Sequence, residues 1–122
     1  MKKILIILVV LFLITGCKES NSVKESKGTI SSITCNKAID MQGEGAIMVD
    51  VREKSEYDED HLDDAINIPY TVIVDNISKY ADKDTKIIVY CRSGNRSNKA
   101  ANSLIEAGYK NIYDLGSINN CN

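Results

Sequence analysis

Beyond residue 28 the chain alternates short runs of β-branched and other apolar residues with stretches whose apolar positions recur at helical spacing. Residues 29–34 (TISSIT) read as a first strand, 35–41 as a helix, 46–51 (AIMVDV) as a second strand, and 65–68 as a third after a charged stretch. Across 70–81, Val72, Ile73, Ile77 and Tyr80 fall close to helical spacing, and Thr71 is available as the cap. Residues 86–90 (KIIVY) are a strand by composition. Residues 97–107 place Ala100, Ala101, Leu104 and Ile105 on one helical face that ends at Gly108, and 111–115 (NIYDL) supply a last strand. Strands alternating with helices predict an α/β sheet. The runs at 46–51 and 86–90 lack polar alternation, so they read as central strands covered on both faces. Ligands in open α/β sheets sit at the carboxyl ends of such strands, where Asp50, Arg52 and Cys91 fall.

The N-terminus has a different pattern. Lys2 and Lys3 precede an uninterrupted apolar run from Ile4 to Ile14, and Thr15 and Gly16 bring small residues up to Cys17. This reads as an export signal, shorter than the ~20 residues a spanning helix needs. The tetrapeptide Ile14-Thr15-Gly16-Cys17 resembles a bacterial lipobox, which implies lipid transfer to Cys17 and cleavage just before it. The alternatives are a plain secretory signal with an incidental cysteine and an uncleaved anchor. Residues 18–28 (KESNSVKESKG) contain one apolar side chain and cannot build a core. The expected organisation is therefore a lipoprotein signal peptide at 1–16, a flexible polar tether at 17–28 and a folded domain at 29–122. It predicts a lipid-anchored protein of the bacterial cell membrane, with its domain outside the cytoplasm.

Composition narrows the classes further. With 43% hydrophobic and 26% charged residues in 122, the chain has globular character and room for one domain. Net charge is −2 and no basic cluster follows the N-terminus, which argues against nucleic acid as a partner. One histidine and scattered cysteines give no metal-ligand spacing, and nothing implies a cofactor.

The candidate chemistry lies in Cys91-Arg92-Ser93-Gly94-Asn95-Arg96-Ser97, between a strand and a helix. Such a loop points backbone N–H groups and the positive end of a helix dipole at one concave spot, and here a thiol begins it. A thiol so placed beside cations has its pKa lowered from ~8.5 to roughly 3.5–7.5, so Cys91 is expected as a nucleophilic thiolate. Arg92 and Arg96 supply charge for an anionic donor, and Gly94 permits the bend. Ser97 is read as the cap of the following helix. Bland alternatives stand beside these: an inert buried thiol for Cys91, a solvent-facing side chain for Arg92, and for Arg96 a structural pairing with an acid such as Asp50 or Glu53. Asp50 and Arg52 are expected to brace the loop, and His61 to serve as a structural hydrogen-bonding group.

Two segments together resemble the rhodanese family of sulfurtransferases. They are Val49-Asp50-Val51-Arg52-Glu53, running on to Tyr57, His61 and Ala65-Ile66-Asn67-Ile68-Pro69, and the Cys91–Ser97 loop. The resemblance implies a three-layer α/β fold with a central, mainly parallel five-stranded sheet flanked by helices. It further implies a cysteine that accepts a sulfane sulfur as a persulfide and passes it to cyanide, a thiol or a protein acceptor. A Gly often stands in the family where this chain has Asp64, and a Gly-Gly pair where it has Gly116-Ser117. Because the first and last strands are neighbours in the family, Cys35 and Cys121 are candidates for a disulfide, which would contribute ~4 kcal/mol in the entropic view. Alternatively Cys121 reaches Cys91 as a resolving thiol. Two other functions compete: a non-catalytic or sulfur-relay binding module, and a cysteine-dependent phosphatase. The second is disfavoured because Cys91 and Arg96 are spaced C-x4-R, one residue short of the C-x5-R loop that holds a tetrahedral phosphate.

Overall fold

A computed structural model describes residues 26–122. The expected signal peptide, the lipidation site Cys17 and the tether as far as residue 25 lie outside the described residues. The strands are β1 (Thr29–Ser32), β2 (Ile47–Asp50), β3 (Ile66–Asn67), β4 (Lys86–Cys91) and β5 (Asn111–Ser117). The helices are α1 (Cys35–Gly43), α2 (Lys54–Glu59), α3 (Ile73–Asn76) and α4 (Asn95–Glu106). Among the described residues there are also three 3-10 segments, at Tyr70–Val72, Ile77–Lys79 and Ile118–Cys121. The sheet runs β1-β5-β4-β2-β3 and every strand pair is parallel.

The central strands behave as their apolar runs require. Within β4, Ile87, Val89 and Cys91 project to one face and Ile88 and Tyr90 to the other, all fully buried. The first face packs with Ile73 and Ile77 and with Ala100, Ala101 and Leu104 of α4, and the second with Ala38 and Met41 of α1 and with Ile118. Each such aliphatic side chain contributes roughly 1.5–3 kcal/mol by leaving water. This is the three-layer arrangement, and the alternation along β4 puts the Cys91 thiol on the α4 side of the sheet.

Several local features depart from the sequence reading. The 70–81 segment is broken into a 3-10 turn, a four-residue helix and a second 3-10 turn. β-Branched Thr71, Val72, Ile73, Val74 and Ile77 favour helix poorly, and the Asn76 side chain donates to the Val72 carbonyl at 2.9 Å. Thr71 caps nothing, because the first turn is preceded by Pro69. The helix expected from residue 97 starts at Asn95, because Gly94, at φ +99°, is the N-cap. Ser97 is thus inside the first turn, where its hydroxyl donates to the Gly94 carbonyl at 3.2 Å. Just before β1, Thr29 N donates to Lys110 O at 3.0 Å, and a Cβ on Gly28 would run into the Tyr109–Lys110 backbone.

Helix ends and turns follow side-chain chemistry. The Thr34 hydroxyl accepts from Lys37 N at 3.2 Å to cap α1, and Glu53 and Glu56 form a reciprocal capping box on α2. Asp64 holds φ +63°, the left-handed region that most side chains avoid, which accounts for glycine suiting this position. At the carboxyl edge of the sheet the β4–β5 register slips: Val89 faces Asp114, Tyr90 faces Gly116 and Cys91 faces Ser117. The end of the chain then turns back as a 3-10 segment, in which Cys121 is joined to Cys35 by a disulfide. Cys121 therefore does not serve Cys91 as a resolving thiol in this structure.

Candidate functional site

Cys91 ends β4, and the chain leaving it bends around its sulfur. The Gly94 N–H donates to Sγ at 3.0 Å and the Ser97 N–H at 3.3 Å. The Gly94 bend makes this possible, since φ +99° turns its amide inward at the start of α4. Cys91 is 0% exposed, whereas Arg92, Ser93 and Asn95 around it face solvent. It is also the free cysteine among the described residues. The arrangement is a strand-loop-helix cradle with amide hydrogens directed at one sulfur, the geometry that favours negative charge at its centre.

The two arginines of the loop have different positions. Arg96 donates to both carboxylate oxygens of Glu56, Nη1 to Oε1 at 2.7 Å and Nη2 to Oε2 at 3.1 Å, and each side chain is 26% exposed. The Glu56 carboxyl is lowered to about 2, first by the hydrogen bond from Arg96, against burial, and with help from the Glu53 N–H at 3.1 Å. Arg96 is raised from its ordinary value, first by that same bond, then by the charges of Glu56, Cys91 and Glu53, with burial opposing. Arg96 is thus the structural partner of an acid, and the acid is Glu56, not Asp50 or Glu53. Arg92 is exposed at the lip of the loop and makes no ion pair among the described residues.

Asp50 and Arg52 form a buried pair one strand away. Arg52 Nε donates to both Asp50 oxygens at 2.9 and 3.1 Å, Arg52 Nη2 to Oδ2 at 2.6 Å, and Arg52 N to Oδ1 at 2.9 Å. Tyr90 adds its hydroxyl to Asp50 Oδ2 at 2.8 Å and accepts from Leu62 N at 3.0 Å. Arg52 also donates to the Asp60 carbonyl at 2.6 Å. The network therefore braces the 60–62 segment against the sheet and does not hydrogen-bond the Cys91 loop directly. Burial, ahead of its other interactions, pushes the Tyr90 hydroxyl above its ordinary value, and the Asp50 bond raises Arg52. His61 stacks on Tyr57, with ring centroids 3.8 Å apart, and its Nδ1 lies 3.0 Å from the Tyr57 carbonyl, a contact that requires the proton on Nδ1. Among the described residues no group of three or more His, Cys, Asp or Glu side chains is placed to hold a metal.

A family model described as the rhodanese-like domain matches residues 34–120. The chain belongs to the rhodanese-like family. The matched span includes β2 through β5 and the whole Cys91 loop. Among characterised relatives, an adenylyltransferase and sulfurtransferase of Debaryomyces hansenii is 41% identical over 87 residues, covering 64% of this chain but only 19% of that protein. The thiosulfate sulfurtransferase GlpE of Pseudomonas savastanoi is 33% identical over 75 residues, covering 62% of this chain and 70% of the relative. A solved structure described as rhodanese with anions, from E. coli, superposes with a TM-score of 0.60 at 31% identity, over 62% of this chain and 91% of that one. The rhodanese-like family is of sulfurtransferase type, and the five-stranded parallel sheet is its fold.

Within this rhodanese-like domain the structure gathers Cys91, Gly94 and Ser97 into the cradle and leaves Arg92, Ser93 and Asn95 at its rim. Asp50 and Arg52 are set apart from it, while Glu56, Tyr90 and Ser117 enter site and support without having been singled out by sequence. The capping-box spacing of Glu53 and Glu56 was the available signal for Glu56. Nothing in a linear sequence pairs it with Arg96, forty residues away.

Proposed function

We propose that the protein is a sulfurtransferase that carries a sulfane sulfur as a persulfide on Cys91. One observation carries the reading: two backbone N–H groups converge on Sγ in a loop that begins with the free thiol. In the reaction the Cys91 thiolate attacks the outer sulfur of a donor such as thiosulfate. The donor S–S bond breaks and sulfite departs with the electron pair, leaving Cys91–S–S⁻. The amide cradle stabilises the anionic sulfur before and after transfer. Cyanide or a thiolate then attacks the terminal sulfur, leaves as thiocyanate or a persulfide, and restores the Cys91 thiolate. Arg92, exposed and unpaired by any carboxylate among the described residues, attracts the anionic donor at the rim.

The deciding experiment is mass spectrometry of the full chain in detergent before and after thiosulfate and then cyanide, with Cys91→Ser alongside. The expected result is a gain of ~32 Da on the Cys91 peptide, removed by cyanide and absent from the variant. No adduct with any sulfane donor would refute the catalytic reading. A relay role, with a protein as sulfur acceptor, is supported by the Debaryomyces relative, in which the matched region is 19% of a longer protein. A phosphatase is disfavoured because the loop is C-x4-R and its arginine is occupied by Glu56.

The same reading places the domain outside the cytoplasm, anchored through a lipid on Cys17. It is supported by the lipobox-like Ile14-Thr15-Gly16-Cys17 and by the Cys35–Cys121 disulfide, a bond that persists in oxidising compartments. Labelling with a fatty-acid analogue, lost in Cys17→Ala, and protease access in intact cells test the anchor and the side it faces.

A further inference from the structure

We propose that Ser117 is a positioning residue for the Cys91 loop, and that the Cys35–Cys121 disulfide keeps it in place. The register slip between β4 and β5 puts Ser117 opposite Cys91 in the ladder. From there its hydroxyl donates to the carbonyl of Arg92, the first residue after the cysteine, at 2.6 Å. The loop turns its amides inward onto the sulfur, so Ser117 holds the loop from its outer side. A second contact lies beside it: a Cβ built on Gly94 would come 3.7 Å from Gly116 Cα, so the end of β5 also lies against the residue whose N–H reaches Sγ.

The orientation of the Ser117 hydroxyl is set from three directions. A serine hydroxyl has one proton to give and lone pairs to receive with. Here the oxygen accepts from Asn119 N at 3.0 Å, as the cap of the 3-10 segment Ile118–Cys121, which leaves the proton for the Arg92 carbonyl. Upstream, Gly116 adopts φ +82°, and its N–H donates to Asp114 Oδ1 at 2.9 Å. Downstream, Asn120 Nδ2 donates to the Leu115 carbonyl at 2.8 Å, and Cys121 is bonded to Cys35, the first residue of α1. The segment is thus pinned to the sheet at one end and to a helix at the other, with the side-chain bond from Ser117 to the cysteine loop between them.

This contact does not touch the sulfur, so its effect passes through the backbone of Arg92 to the amides of Gly94 and Ser97. Losing it leaves the Arg92 carbonyl to water and lets the loop open more often. Cys91 is fully buried, so opening is what exposes it to a reagent. A hydrogen bond of ordinary net strength changes such an opening equilibrium about three- to tenfold.

The test is the rate at which iodoacetamide alkylates Cys91 in the full chain in detergent, read from the Cys91 peptide, well below the melting midpoint of each variant. The proposal rests on the cradle described above but not on the transfer of sulfur, so alkylation reports on it even if no persulfide forms. Ser117→Ala is expected to alkylate about three- to tenfold faster than the unmodified chain, and Ser117→Thr within about twofold of it. A Cys35→Ser/Cys121→Ser chain should also react faster, and adding Ser117→Ala to it should add little, since both act through one contact. An unchanged rate in Ser117→Ala, or a Ser117→Thr chain as fast as Ser117→Ala, would overturn the positioning role. Full additivity of the two changes would overturn the link to the disulfide.

Discussion

Arg96 grips Glu56 through two hydrogen bonds, at 2.7 and 3.1 Å, tying the first turn of α4 to α2. The pairing divides the work of the two arginines that flank the cysteine loop. One fixes the start of the helix whose amides face the sulfur, and the other, Arg92, is exposed at the rim and makes no ion pair among the described residues.

Arg92→Ala is therefore expected to raise KM for an anionic sulfur donor about fivefold with a smaller change in kcat, because an exposed charge contributes on the order of 1 kcal/mol. Steady-state kinetics with thiosulfate, repeated at rising salt, checks this, and the salt dependence should weaken in the variant. Arg96→Ala should instead lower Tm by several degrees, since it leaves the Glu56 carboxylate half-buried without its partner.

Glu56 makes stability depend on acid. Its carboxyl is lowered from 4.5 to about 2 in the folded chain, so the unfolded state binds the proton first as pH falls. The stabilisation is complete above pH 4.5 and is lost as pH falls toward about 2. Glu56→Gln should cost ~1 kcal/mol in urea unfolding at pH 7, as expected of a partly exposed pair, and the gap between variant and parent should close as pH approaches 2.

Asp50 is fully buried beneath Arg52 and Tyr90. Asp50→Ala leaves a guanidinium 6% exposed with no carboxylate, a change that costs about 3–5 kcal/mol. Tyr90→Phe strips the acceptor from Leu62 N and a donor from Asp50, at about 1–3 kcal/mol. Urea midpoints give both. In an alkaline titration followed by tyrosinate absorbance, Tyr90 should ionise above the ordinary range, because burial penalises its anion.

The disulfide closes a loop of 86 residues between the start of α1 and the end of the chain. In the entropic view it supplies roughly 4–5 kcal/mol, so Cys35→Ser/Cys121→Ser should lower Tm by about 15 °C or more. Calorimetry of the two chains measures it.

Gly94→Ala meets no steric wall, since the added Cβ would lie 3.7 Å from Gly116 Cα, but it forces a side chain into φ +99°. The expected cost is about 1 kcal/mol, paired with slower persulfide formation as the inward amide relaxes. A stopped-flow or quenched mass assay of the adduct distinguishes this from a loss of fold.

How much was legible from residues alone is clearest at β4 and its loop. Ile87, Ile88, Val89 and Tyr90 are adjacent, apolar and fully buried, so a strand covered on both faces followed from local composition. The Cys91 loop, between that strand and an amphipathic helix, followed from its place in the chain, because a cradle of consecutive amides is a local structure. The 70–81 segment misled for a related reason: helical spacing was present, but β-branched side chains and Asn76 broke the backbone into turns. Contacts between distant residues decided the rest. Glu56 with Arg96, and Tyr90 with Asp50, are each forty residues apart, and the pairing partner of an arginine or a carboxylate is set by which strands lie together. Ser117 met the Cys91 loop only because the β4–β5 register slips after Val89, a one-residue shift that depends on the packing of two strands and on the turn at Gly116.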